Sequence, residues 1–139
     1  MRVLFVEDDA AVRDVVCEYL ISILGYTVDA VSSGREALEL IRSGRRTYDV
    51  ALIDWQLPGI TGRDVVADMT SRHPDTAVLI TTGQNNSRLM HQTSKIPQVS
   101  MIRKPFALGQ LRDSLQDAFD QVQPDVQPPL PPFSQQLAY

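Results

Sequence analysis

Five short apolar runs alternate along this chain with stretches of helical apolar spacing, and this alternation constrains the fold more than any other feature. The runs are Val3 to Val6, Thr27 to Val31, Val50 to Ile53, Ala77 to Thr81 and Val99 to Ile102. Most are continuous rather than alternating, as expected of strands covered on both faces. Between them the spacing turns helical. Val12, Val15, Val16, Tyr19, Leu20, Ile23 and Leu24 recur at i, i+3, i+4, and Leu108, Leu111, Leu115, Ala118, Phe119 and Val122 do the same near the end. Strand and helix in strict succession predict an α/β fold, a doubly wound parallel sheet with helices on both faces and right-handed connections.

Local signals place the element ends. Gly25 stops the first helix as a C-cap. Ser33 with Glu36 reads as a capping box opening a helix with Ala37, Leu38 and Ile41 inward, ending near Gly44 beside Arg42, Arg45 and Arg46. Basic side chains at a helix C-terminus read as a solvated cap. A third helix runs from about Thr61 to Arg72, buries Val65, Val66 and Met69, and closes at His73-Pro74. Asn85 to Gln98 is poor in helix formers and offers only Leu89, Met90 and Ile96 as apolar anchors, so a short or frayed helix is expected. Residues 1–122 read as one domain. Residues 123–139 hold five of the nine prolines and read as an extended, disordered tail whose PPLPPF core has polyproline character.

Composition removes whole classes of function. A formal net charge of -4 and a pI near 5.0 give no positive field to hold nucleic acid, so direct nucleic-acid binding is not expected. Nothing approaches a membrane span, and the start, MRVLFVEDD, is too short in its apolar run for a signal peptide; a cytoplasmic protein is expected. The single Cys17 lies on an apolar helical stripe and reads as a core residue, while His73 and His91 lack partners at metal or triad spacing and read as surface residues.

The chemistry sits at the ends of the strands. Glu7 and Asp8 follow the first, Asp54 the third, Thr82 the fourth, and Lys104 comes just after the fifth. In an open parallel sheet the carboxyl ends of the strands line the binding crevice. Three acids meeting there repel one another, and the usual relief is a hard cation; oxygen-only ligands in an incomplete cage suit Mg²⁺ with several waters kept. A lysine and a threonine hydroxyl beside it make a receptor for phosphoryl oxygens, toward which one carboxylate can act as nucleophile.

With VEDD after the first strand, DWQLPGITG after the third, Thr82-Gly83 after the fourth and KPF after the fifth, residues Arg2 to about Val122 resemble the receiver domain of two-component response regulators. The resemblance implies a flavodoxin-like five-stranded sheet of order 2-1-3-4-5 with five helices. It implies Asp54 as phosphoacceptor, Mg²⁺ held by Glu7, Asp8, Asp54 and the Gln56 carbonyl, Thr82 as switch hydroxyl, and Lys104 as phosphate-binding lysine followed by a cis Pro105. Gln56 and Gln84 fall where the family borders the phosphoryl group. The implied partners are a sensor histidine kinase or histidine phosphotransfer protein upstream and another protein downstream; the domain would catalyse only its own phosphoryl transfer and slow dephosphorylation. Two departures stand out: Met101 replaces the usual aromatic residue three before the lysine, and Ser94 to Val99 replaces the usual small-residue turn. In its TTGQ and the irregular stretch beyond, the chain is similar to receivers fused to hybrid sensor kinases. The competing class is an aspartate-nucleophile phosphatase of the haloacid dehalogenase type, which sets its nucleophile after the first strand in D-x-D form and usually carries a cap domain.

Overall fold

The computed structural model describes residues 1–83 and 87–122. The expectations for Gln84 and for the proline-rich tail lie outside the described residues. Strands β1 (Arg2–Val6), β2 (Thr27–Val31), β3 (Val50–Asp54), β4 (Ala77–Thr82) and β5 (Val99–Arg103) form one sheet. All pairings are parallel and the order is β2-β1-β3-β4-β5, as the resemblance implied. Helices α1 (Ala10–Glu18), α2 (Gly34–Ser43), α3 (Gly62–Arg72), α4 (Ser87–Thr93) and α5 (Leu108–Val122) connect and follow the strands.

Because successive strand residues face opposite ways, each strand feeds two cores. Leu4, Val6, Ala51, Ile53, Val78 and Ile80 pack with Ala37, Ile41, Val65, Met69 and Leu89 from α2, α3 and α4. Their neighbours Val3, Phe5, Val50, Leu52, Ala77 and Leu79 pack with Val16 of α1, Leu20 just beyond it, and Leu111 and Leu115 of α5. The middle strand, β3, is buried at every position, which accounts for its unbroken apolar run and fixes the end from which Asp54 emerges.

The first helix departs from its simple periodicity. After Glu18 the chain makes a π-helical turn, Tyr19–Ile23, before Gly25 ends the run. A π turn holds an extra residue, so side chains beyond it are rotated relative to α1. Leu20 stays fully buried while Ile23 is 70% exposed, contrary to the inward position its spacing predicts. Val15, also expected inward, is 56% exposed. Cys17 is half-buried against the α1/α5 core rather than enclosed in it.

The capping signals also resolve differently. Ser33 accepts from the Glu36 amide at 3.2 Å, but the Glu36 carboxylate takes the Ser32 hydroxyl at 2.9 Å, so the cap is one-sided. The reciprocal box is at Thr61: its hydroxyl accepts from the Asp64 amide at 3.3 Å, and Asp64 accepts from the Thr61 amide at 3.3 Å. Arg46 is paired with Asp29 at 2.6 Å and Arg42 with Asp68 at 3.4 Å, both half-exposed, which agrees with a solvated cap. His73 is not a free surface residue; its Nε2 lies 2.9 Å from the Ile41 carbonyl oxygen and ties the end of α3 to α2. The short α4 is held by Leu89, whereas Met90 and Ile96 are exposed.

Since Thr61 opens α3 immediately beyond the loop that follows Asp54, Thr61→Ala is expected to lower the unfolding free energy by about 1 kcal/mol. Urea titration with an unchanged m-value would show it; an unchanged midpoint would mean the box contributes nothing.

Candidate functional site

The strand order brings the chemistry together. With β1 beside β3, and β4 between β3 and β5, the carboxyl ends of four strands meet at one edge. Glu7 and Asp8 follow β1, Asp54 is the last residue of β3, Thr82 the last of β4, and Lys104 the first after β5. One carboxylate oxygen each from Glu7, Asp8 and Asp54 lies within 4.8 Å of the others. Lys104 Nζ donates to Glu7 Oε1 at 2.7 Å and to Asp54 Oδ2 at 3.2 Å. These four residues, nominated separately by the sequence, are one cluster.

Backbone contacts hold each member. The Gln56 amide donates to Asp54 Oδ1 at 3.0 Å, and the Lys104 amide to the Thr82 carbonyl at 2.8 Å. Lys104-Pro105 is a cis peptide bond. Asp9, third in the acidic run, accepts from the Ala11 and Val12 amides as N-cap of α1 and so belongs to the helix. Arg13 Nη1 donates to the Glu7 carbonyl at 2.8 Å, fixing the turn that carries Glu7 and Asp8. Neither role was assigned from the sequence, although an Asp just before an apolar helical run is an N-cap signal. Thr82 is buried beside Asp54's strand. An atom added at the Cα of Gly83 would lie 3.7 Å from Gln56 Oε1, which places the Gln56 amide near the mouth of the cluster.

Gly62 permits a close approach. A Cβ there would lie 2.3 Å from the Asp54 carbonyl oxygen and 2.7 Å from Trp55 Cα, so α3 starts directly against the backbone of Asp54.

The electrostatics follow from burial. Glu7 is 1% exposed and Asp54 6%, while Asp8 faces solvent. Burial pushes the Glu7 carboxyl up to about 7, with the Lys104 hydrogen bond pulling it down and the neighbouring Asp54 raising it further. Burial opposes the Lys104 charge, but the Glu7 hydrogen bond and the Asp54 and Glu7 charges hold its ammonium above the ordinary lysine value. The donor set fits a hard divalent cation: three carboxylates, two of them desolvated, served by a single ammonium. Beside Lys104 an apolar groove of about 680 Å³ runs between α1 and the turn before α5, lined by Ala11, Val12, Val15, Pro105, Phe106 and Leu108.

The fold is a doubly wound parallel α/β sheet with an acidic cluster and a lysine at its carboxyl edge. Residues 3–116 match the response regulator receiver domain, and the chain belongs to that family. Response regulator MprA of Mycolicibacterium vanbaalenii is 31% identical over 125 residues, covering 90% of this chain and 53% of that protein. A cyclic di-GMP phosphodiesterase of Thermotoga maritima is 32% identical over 112 residues, or 81% of this chain and 29% of the relative. The aerobic respiration control sensor protein ArcB of Escherichia coli is 38% identical over 74 residues, 53% of this chain and 9% of that protein. The chain thus spans about half or less of the length of these curated relatives. Among solved structures, a CheY-like receiver domain from Methanospirillum hungatei superposes with a TM-score of 0.78 at 22% identity, covering 89% of this chain and 97% of that one. No helix among the described residues is long and apolar enough to cross a membrane.

The raised Glu7 value has a signed consequence. The folded protein keeps a proton on Glu7 between about 4.5 and about 7 that the unfolded chain has released, so this group's contribution to stability falls as pH rises through that window. In metal-free buffer, Glu7→Gln is expected to be more stable than the native protein at pH 8 by roughly 1–3 kcal/mol, with the gain shrinking toward pH 4.5. Urea melts in EDTA at the two pH values measure this. An equal gap at both would mean that Glu7 ionisation is not what burdens the fold.

Proposed function

We propose that the chain is a phosphorylation switch of a two-component or phosphorelay pathway, accepting a phosphoryl group on Asp54. The observation that carries this is the Lys104 ammonium bridging Glu7 and Asp54, with Asp8 in the same cluster. Glu7, Asp8, Asp54 and the Gln56 backbone carbonyl would hold Mg²⁺. The ion would supply positive charge for the phosphoryl oxygens.

In the step itself, an Asp54 carboxylate oxygen attacks phosphorus in a phosphohistidine donor. The new P–O bond forms as the P–N bond breaks, and the electron pair leaves on the imidazole nitrogen. Lys104 moves its second hydrogen bond from the carboxylate to the phosphoryl oxygens, and Thr82 offers a hydroxyl from the adjoining strand end. The Gln56 side-chain amide would shield the acyl phosphate or orient a water against it, a reading supported by its nearness to Gly83. The donor is a sensor histidine kinase or a histidine phosphotransfer protein, and the match to the ArcB sensor protein supports a phosphorelay setting. The apolar groove that reaches Lys104 offers a surface on which such a donor could rest. Output passes to a protein partner, in keeping with the acidic composition. The domain acts as a switch and catalyses only its own phosphorylation and slow dephosphorylation. A haloacid dehalogenase-type phosphatase is disfavoured because the central aspartate ends β3, not β1, and because the chain belongs to the receiver family.

Asp54→Asn is expected to abolish acyl phosphate formation from acetyl phosphate and Mg²⁺ while leaving the circular dichroism spectrum unchanged, because an amide is a far weaker nucleophile. Intact-mass spectrometry reads the adduct directly. An undiminished phosphate adduct in the variant would remove Asp54 from this role.

A further inference from the structure

Helix α2 begins on a glycine that touches the loop behind Asp54. A Cβ built on Gly34 would lie 2.4 Å from the Ile60 carbonyl oxygen, 3.0 Å from Ile60 Cγ2 and 3.1 Å from Ile60 Cβ. Real Cβ atoms essentially never approach below 3.0 Å, and the oxygen belongs to the main chain, so no side-chain rotation relieves the clash. Gly34 is needed for space. Any larger residue forces either α2 or the loop to move.

The two sides are not equally free. Helix α2 is anchored by Ala37, Leu38 and Ile41, all buried under the sheet, and by the Ser33 cap. Retreat of the helix would open the core. The loop from Trp55 to Thr61 is held less deeply: Leu57 is buried, Trp55 and Ile60 pack against the core while partly exposed, the Trp55 amide donates to the Thr81 carbonyl at 2.9 Å, and the rest of its support is at its ends. One end is the Gln56 amide on Asp54 Oδ1 at 3.0 Å, and the other is Gly62, lying against the Asp54 carbonyl. A push on Ile60 therefore falls on the loop, and both of its ends bear on Asp54.

We propose that Gly34 is a positioning residue for the acidic site: by letting α2 touch Ile60, it seats the loop so that Gln56 and Asp54 keep the geometry that receives Mg²⁺ and the phosphoryl group. This rests on the phosphorylation reading above. Gly34 itself touches neither the metal ligands nor Lys104, so its effect is transmitted entirely through the loop.

The test is Gly34→Ala, with Gly109→Ala in α5 as a control, since a Cβ on Gly109 meets nothing within 4 Å. Trp55, the sole tryptophan, adjoins Asp54 and serves as the fluorescence probe for the Mg²⁺ titrations, with isothermal calorimetry as a second readout. The Gly34→Ala protein should show an Mg²⁺ Kd raised about fivefold or more and, without metal, Gln56 amide exchange about tenfold faster by NMR, both effects absent in the control. Mg²⁺ affinity within about twofold of native together with native Gln56 protection would overturn the proposal. Where Gly34→Ala does not fold, Ile60→Ala decides: it keeps Gly34 but loosens the loop's seat, and a Kd unchanged within about twofold would overturn it equally. If the native protein itself binds no Mg²⁺, the signalling reading fails; Gln56 exchange in the metal-free variants still decides whether Gly34 seats the loop.

Discussion

The Lys104 ammonium between Glu7 and Asp54 is the contact on which the rest of the site depends. Its partners lie 97 and 50 residues away in sequence, so nothing local assembles it. In this parallel sheet the carboxyl ends of β1, β3 and β5 share one edge, and the lysine side chain spans the distance between them. The lysine is also what lets two buried acids stand side by side. At 4 Å two like charges cost on the order of 4 kcal/mol at an effective dielectric near 20. A single ammonium offsets part of that for Glu7 and Asp54 and leaves Asp8 to solvent. The cluster therefore carries more negative charge than its own residues neutralise. That residual imbalance would give a bound divalent cation a stabilising effect on the fold, because binding would relieve a cost already present.

Such a cluster keeps its shape because its supports are backbone groups and buried strands. β3 and β4 are buried along their whole lengths, so Asp54 and Thr82 sit at the ends of rigid rods. Around them the helices come in unusually close. Gly62 brings α3 against the Asp54 carbonyl, and Gly34 brings α2 against Ile60. On the helix side these contacts involve no side chain, leaving the loop after Asp54 held between two helix starts. A site that must place carboxylate oxygens to a few tenths of an ångström gains from supports that have no rotamers to sample.

Much of this was legible in the sequence, for identifiable reasons. The strands announced themselves because buried parallel strands are continuous and apolar, and the acids at their ends were conspicuous after such runs. The alternation alone implied a parallel sheet, but the order β2-β1-β3-β4-β5 came only with the resemblance, since periodicity carries no information about which strands are neighbours. The π-helical turn at Tyr19–Ile23 was invisible: Ile23 falls on an α-helical stripe until one turn widens and rotates it outward. The capping box at Thr61 was passed over because Asp64 stands where glutamate or glutamine is usual, while Ser33 and Glu36 matched the usual letters without closing the box. Gly34 gave no signal at all. A glycine at a helix start reads as tolerance, and the need for space appears only when the opposing carbonyl is in place.

The same logic bears on how a change at the site could travel. Met101 stands level with Ile80 across the β4–β5 pairing, and its sulfur lies 3.4 Å from the Thr93 hydroxyl, which also donates to the Leu89 carbonyl at 2.9 Å. β5 is thereby joined to α4 through a thioether, a weak acceptor on an unbranched and adaptable side chain. The helix it touches is seven residues long, with only Leu89 and Thr93 buried. A ring in place of Met101 could signal by turning between two discrete positions; a methionine adjusts continuously and enforces neither. α4 has fewer buried side chains to hold it than α2, α3 or α5, and it comes next in the chain after the β4 end that carries Thr82. Local stability scales with buried apolar contact, so phosphoryl contacts at Thr82 would shift the ordering of this helix at lower cost than any rearrangement of the α2/α3 core. If phosphorylation acts through α4, how firmly that helix is held would set the response, with Met101 as a soft tether.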